Sequence, residues 1–310
     1  MKMICLLTVA LLSSVASLSQ VTRTKTFQEA LSQRGIKIED ICNLSSHVQQ
    51  KVMEEYGSYF VATGVKTPPK CLLNEETTDR FQDTLSISLV RIGSKVFPFQ
   101  SEAARSLQMV VDELPRLGVS PLNFPREFGS PERNDPIVLR YKGKKANINE
   151  DWGFRDYNQT VRNWGGKDKA KDAAVLAQLE YDRDRRPDKE TPKIRGLAVP
   201  GASQHLAMIA FDLNRATCAN TEVIQLLQKN GWWRTIRDDN CHFTYLGWKD
   251  TKSLLANGLM KVTCRRKEGP VGRRVEIARD FWVPNLEEFT FIWYTGWLCE
   301  GDTLLPNGND

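Results

Sequence analysis

The amino-acid sequence predicts an α+β fold that ends in a β-rich C-terminal extension. Three observations carry this reading. Residues 101–114 repeat apolar side chains at helical spacing, residues 242–246 alternate as a strand does, and residues 257–303 are rich in β-branched and aromatic types. At 310 residues the chain is long enough to bury a full core. Its hydrophobic fraction of 41% and charged fraction of 26% are ordinary for a globular protein and exclude a disordered or fibrous class.

At the N-terminus, Met1-Lys2 precedes an apolar run from Met3 to Leu12 and small residues through Ser19, the pattern of a secretory signal peptide cleaved near Ser17 to Gln20. The run is short for a bilayer, so no stable membrane span is expected after cleavage. Cleavage removes Lys2 and Cys5, lowers the net charge of +5 by one, and leaves Cys42, Cys71, Cys218, Cys241, Cys264 and Cys299. An even number suits disulfides in an exported, periplasmic or extracellular protein, with the pairing left open. The cysteines lack close CxxC spacing, which argues against a structural cysteine–zinc site. The mild basic balance reads as a solvated surface, and no nucleic-acid partner is expected.

Residues 39–59 look helical and lead to the turn-rich Thr67-Pro68-Pro69-Lys70. Across residues 81–99 the pattern alternates, which favours strands. Ser101 opens an amphipathic helix with Ala104, Leu107, Val110, Val111 and Leu114 on one face and Pro115 at its end. A strand-like piece and a proline-containing loop follow, to about Pro136. Residues 156–183 read as helix interrupted by Gly165-Gly166, and the charged run 182–193 as an exposed loop. Residues 221–230 form a short helix with Val223, Leu226 and Leu227 as its apolar stripe, stopped by Gly231. Trp232, Trp233, Tyr245 and Trp248 are core residues in the simplest reading and lining of a peptide cleft in the alternative. The expected organisation is a signal peptide at 1–19, an N-terminal segment at 20–79, a catalytic domain at 80–250 and the extension at 251–310.

The candidate chemistry is concentrated in two blocks. His205 and His242 are two of only three histidines, with Asp212 between them and Asp239 three positions before His242. Two imidazoles and a carboxylate are the ligand types of a catalytic zinc ion, which takes three protein ligands and leaves a fourth position for water. A carboxylate near the last ligand is a candidate base. The sequence has no G-x-S-x-G elbow, and His47 is the only histidine left to serve a nucleophile, which argues against a serine or cysteine hydrolase.

Pro200-Gly201-Ala202-Ser203-Gln204-His205, continued through Ala210-Phe211-Asp212, resembles the metal signature of the VanY-type zinc D-alanyl-D-alanine carboxypeptidases, which reads P-G-x-S-x-H and then an aspartate. Gly231-Trp232-Trp233 with Asp239 to Tyr245 resembles that family's second block, a glycine and aromatic followed by E-P-W-H-F and a tyrosine. Gly153-Phe154-Arg155-Asp156-Tyr157-Asn158-Gln159 resembles its G-Y-R-S-Y-x-x-Q block. The blocks occur in the family's order and the resemblance spans residues 80–248.

The resemblance implies a small antiparallel sheet carrying the zinc site, flanked by helices, and hydrolysis of D-alanine-containing bonds in bacterial cell-wall peptides. It implies Zn2+ held by His205, Asp212 and His242, and Asp239 as the catalytic base. Arg155 would be a catalytic and substrate-binding cation that steadies the developing oxyanion. Gln159 and Ser203 would contact the peptide or orient ligands. The chain departs from the pattern at Asp239, where the family carries glutamate, one methylene longer; Asp238 is the alternative base. It departs again at Cys241, which replaces a tryptophan and reads as a buried or disulfide-bonded cysteine, with metal ligation as the alternative. A non-catalytic cell-wall-binding protein that keeps the fold is the alternative function.

Overall fold

A computed structural model describes residues 24–93, 95–125, 137–141, 144–148, 157–163, 198–237, 239–268, 275–286 and 298–299. The expected signal peptide, the Gly165-Gly166 break and the 182–193 loop lie outside these residues. The fold is α+β, built from small antiparallel sheets and short helices.

Helix α1 (Phe27–Ser32) starts with a capping box: the Thr26 side chain accepts from the Glu29 amide, and the Glu29 carboxylate accepts from Thr26. The helical expectation for 39–59 resolves into α2 (Ile38–Ile41), α3 (His47–Tyr56) and a 3-10 turn (Gly57–Val61). A disulfide between Cys42 and Cys71 ties the end of α2 to the segment after Pro68-Pro69. The sequence expectation of strands from residue 81 is corrected here. Phe81 lies in α4 (Glu75–Asp83), whose N-cap Asn74 accepts from the Thr77 amide, and its ring is buried on the helix's inner face. The cap and the helical spacing of Thr78, Phe81 and Gln82 outweigh the local alternation. The strands begin later, as the hairpin of β1 (Ile87–Ile92) and β2 (Lys95–Gln100).

Helix α5 (Ser101–Glu113) follows β2 directly and packs against this hairpin. Ala104, Leu107, Val110, Val111 and Leu114 are all buried, as their spacing required. Pro115 falls in the 3-10 turn Leu114–Leu117 that closes the helix. A second hairpin pairs β3 (Ile137–Tyr141) with β4 (Lys144–Ile148). Helix α6 (Tyr157–Asn163) packs on α4, with Asn158 donating to the Glu75 carboxylate.

The central sheet has the order β5-β7-β6, from β5 (Ala210–Asp212), β7 (His242–Tyr245) and β6 (Trp232–Trp233). Two helices, α7 (Arg215–Cys218) and α8 (Thr221–Lys229), connect β5 to β6. Gly231 turns the chain from α8 into β6 at φ 83°, and a Cβ there would lie 2.9 Å from the Gly247 Cα, so only glycine lets these segments cross.

After α9 (Thr251–Ala256), the expected β-rich extension appears as β8 (Leu259–Glu268), β9 (Val275–Pro284) and β10 (Leu298–Cys299) in the order β10-β8-β9. Alternation sends Trp282 into the main core while Phe281 and Val283 join Val262 and Cys264 in a second small cluster. The main core is continuous from Phe27 to Trp282. The Trp282 amide donates to the Arg234 carbonyl at 2.8 Å, and the Ser58 hydroxyl to the Trp282 carbonyl at 2.9 Å, so chain ends and centre share one packing unit. No helix of the described residues is long and apolar enough to cross a membrane.

Replacing Cys42 and Cys71 together by alanine is expected to lower stability by about 2–4 kcal/mol, because it reopens a long loop in the unfolded chain. Denaturant unfolding of the oxidised wild type and the double variant measures it; equal stabilities would contradict the cross-link's role.

Candidate metal centre

The three strands of the central sheet alternate strictly, and their two faces do different work. Register pairs Phe211 with Phe243 and Trp232 with Tyr245 on one face. Phe211 stands 4.7 Å from Trp232, and Phe99 from β2 meets Trp232 edge-on at 5.9 Å, so this face fills the core. The opposite face carries Asp212 and His242 in a directly opposed cross-strand pair, beside Thr244. His242, Phe243, Thr244 and Tyr245 are all buried because β7 is the central strand and is covered on both sides.

His205 reaches this polar face from a 3-10 turn (Gln204–Ala207) just before β5. Several contacts hold the turn. Ser203 caps it, accepting from the His205 amide at 3.4 Å; Gln82 donates to the Leu206 carbonyl at 3.0 Å and Gln100 to the Ala207 carbonyl at 2.7 Å. Gly201 lies so close to Leu73 that a Cβ would come within 1.9 Å of its carbonyl oxygen. Met208 closes the turn at φ 54°, a left-handed conformation uncommon for a residue with a side chain.

In the assembled group, His242 Nδ1 is 2.9 Å and His205 Nε2 3.6 Å from the same Asp212 oxygen, Oδ1. The imidazole rings lie 5.0 Å apart at 79°. Ligand atoms of the three residues all lie within 4.8 Å of one another, and all three residues are buried. Tetrahedral coordination with bonds of about 2.0–2.1 Å sets neighbouring donor atoms about 3.4 Å apart, which the two measured separations bracket. The group can therefore hold a metal ion. Burial alone would raise the Asp212 pKa; hydrogen bonds from His205 and His242 outweigh it and hold the carboxyl well below the usual carboxylate range. Asp212 is thus kept as an anion, the form a cation needs.

Behind the ligands lies a polar cluster that the motif reading did not assign a role. Gln204 Oε1 is 2.9 Å from His242 Nε2 and 3.0 Å from the Thr235 hydroxyl, and it also accepts from the Thr244 hydroxyl. Its amide nitrogen donates to the Tyr56 carbonyl at 3.0 Å. The only sequence signal for Gln204 is its place beside His205; Thr235 and Thr244 gave none, since their convergence depends on strand register.

No family model and no curated protein matches this chain. The site is therefore read from its own residues. His205, Asp212 and His242 stand together as the sequence anticipated. Asp239 stands outside the ligand group, at the turn entering β7; its Oδ1 accepts from the Cys241 amide at 3.2 Å and its carbonyl from the His242 amide at 3.3 Å. Ser203 is buried as the cap already described. Gln159 belongs to α6, with its side chain outside the description, while Arg155 and Asp238 lie outside the described residues. Cys241 is disulfide-bonded to Cys218, which fastens α7 to the turn before His242. The aromatic cluster is core: Trp232 Nε1 donates to Ser106, Trp233 Nε1 to the Trp248 carbonyl and Trp248 Nε1 to the Val61 carbonyl.

The purified chain is expected to bind one divalent ion per molecule by metal analysis after dialysis, and His205→Ala to lose it while remaining folded. A wild-type protein that takes up no ion would remove the metal assignment.

Proposed function

We propose that this chain is an exported zinc-dependent peptidase that hydrolyses D-alanine-containing bonds of bacterial cell-wall peptides, first of all as a D-alanyl-D-alanine carboxypeptidase. One observation carries the reading: two imidazoles and one anionic carboxylate converge, buried, from a turn and two adjacent strands. That donor set suits catalytic zinc, which keeps three protein ligands and an open position, better than it suits closed structural sites. The residues sit in sequence blocks resembling the VanY-type carboxypeptidases, in the same order. Three disulfides agree with an oxidising compartment and so with export.

When bound, the ion supplies Lewis acidity that activates water near neutral pH and polarises a peptide carbonyl. His205, Asp212 and His242 would hold it. Asp239, whose Oδ1 accepts from the Cys241 amide, would take the proton from water and return it to the leaving amine. Arg155 carries the oxyanion-stabilising role by resemblance, with Gln159 and Ser203 assisting in substrate contact.

The expected result with purified cell-wall peptides is release of D-alanine, abolished by a chelator and restored by zinc. Absence of both D-alanine release and cross-link cleavage by the zinc-loaded protein would overturn the proposal. Asp239→Ala is expected to slow turnover by about 10²–10⁴-fold with zinc still bound.

A second reading, a non-catalytic cell-wall-binding protein, draws on the local engagement of the Asp239 carboxylate with Cys241. It requires Asp239→Ala to bind wall fragments as the wild type does, with no turnover in either.

A further inference from the structure

The orientation of Gln204 has a consequence for His242. The Tyr56 carbonyl can only accept, so the Gln204 group facing it at 3.0 Å is the amide nitrogen, and the amide oxygen must face inward. That oxygen has no proton to give. The Thr235 and Thr244 hydroxyls both lie against it and 2.9 Å from each other, and His242 Nε2 faces it at 2.9 Å, nearer than the 3.3 Å to the Thr244 hydroxyl. A bare Nε2 there would set two lone pairs against each other in a buried site. Nε2 therefore carries the proton, and in the neutral imidazole Nδ1 is the unprotonated nitrogen.

Nδ1 is also the atom that lies 2.9 Å from Asp212 Oδ1. With Nε2 holding its proton toward Gln204, Nδ1 is the nitrogen left for a cation, which would take the place of the hydrogen that His242 gives Asp212 in the metal-free group. We propose that Gln204 is a positioning residue: its side-chain oxygen locks His242 in the Nε2–H tautomer and turns Nδ1 toward Asp212 as a metal ligand. The inference rests on the zinc reading of the same group.

The three ligands are left intact in the test. Zinc affinity is measured by chelator competition for the wild type, Gln204→Met and Gln204→Glu. Methionine removes the acceptor oxygen, and is expected to weaken zinc binding about 10- to 100-fold. Glutamate keeps an acceptor toward Nε2 while losing the donor to Tyr56, and is expected to bind within a few fold of the wild type. If Gln204 only braced the Tyr56 carbonyl, glutamate would fall as far as methionine. Nitrogen-15 NMR of the zinc-loaded wild type, with labelled histidine, is expected to show the His242 proton on Nε2. Wild-type affinity in Gln204→Met, an equal loss in Gln204→Glu, or a proton on Nδ1 would each overturn the proposal while leaving the metal site standing. A wild type that binds no zinc would overturn this inference and the proposed function together. Should Gln204→Met fail to fold, the glutamate variant and the NMR assignment decide.

Discussion

The antiparallel pairing of β5 with β7 sets Asp212 directly across from His242, and much of the fold serves to keep that register. A slip of one residue would exchange the two faces of the sheet, sending the aromatic rings to the polar side and the ligands into the core. Several contacts prevent it. Phe211 and Phe243 stack on the apolar face, the Leu213 amide donates to the Cys241 carbonyl at 2.9 Å, and Leu213 bridges back to Pro125. The Cys218–Cys241 disulfide then anchors the turn immediately before His242. Burying rings such as Phe211, Phe243 and Trp232 contributes on the order of 1.5–3 kcal/mol each, so the apolar face holds the polar one in place.

The polar face is expensive by itself. A buried carboxylate with two buried imidazoles loses hydration that protein contacts must replace. Part of the replacement is visible: Asp212 meets both histidines, and His242 meets Gln204. A cation at the point where the donors converge would complete it. Stability and metal uptake are then linked, because an ion that binds only the folded chain adds its binding energy to folding.

Three short strands do not make a stable unit alone, and the rest of the chain closes around them. The end of α3 supplies the Tyr56 carbonyl to Gln204 and the 3-10 turn after it supplies Ser58 to Trp282, while β9 hydrogen-bonds to Arg234 beside β6. Elements at both ends of the sequence therefore support a centre whose ligands lie between residues 205 and 242. Function-bearing and supporting residues cannot be separated along the chain, since one continuous core joins them.

The α5 helix, the α8 helix and the 242–246 strand were legible in the sequence because each is governed by local periodicity and a local stop signal. The His205, Asp212 and His242 set was legible too, since two of only three histidines flank that aspartate within one short stretch. Position 81 misled because a few alternating residues fit a strand as well as the inner face of a capped helix, and the Asn74 cap with burial of Phe81 decides between them. The disulfide partners, the division of the sheet into an aromatic and a ligand face, and the convergence of Gln204, Thr235 and Thr244 on one oxygen required the tertiary structure. The physical reason is range. Residue chemistry and helical or strand period are properties of neighbours in sequence, whereas the contacts that orient His242 join residues 56, 204, 212, 235 and 244 through register and packing.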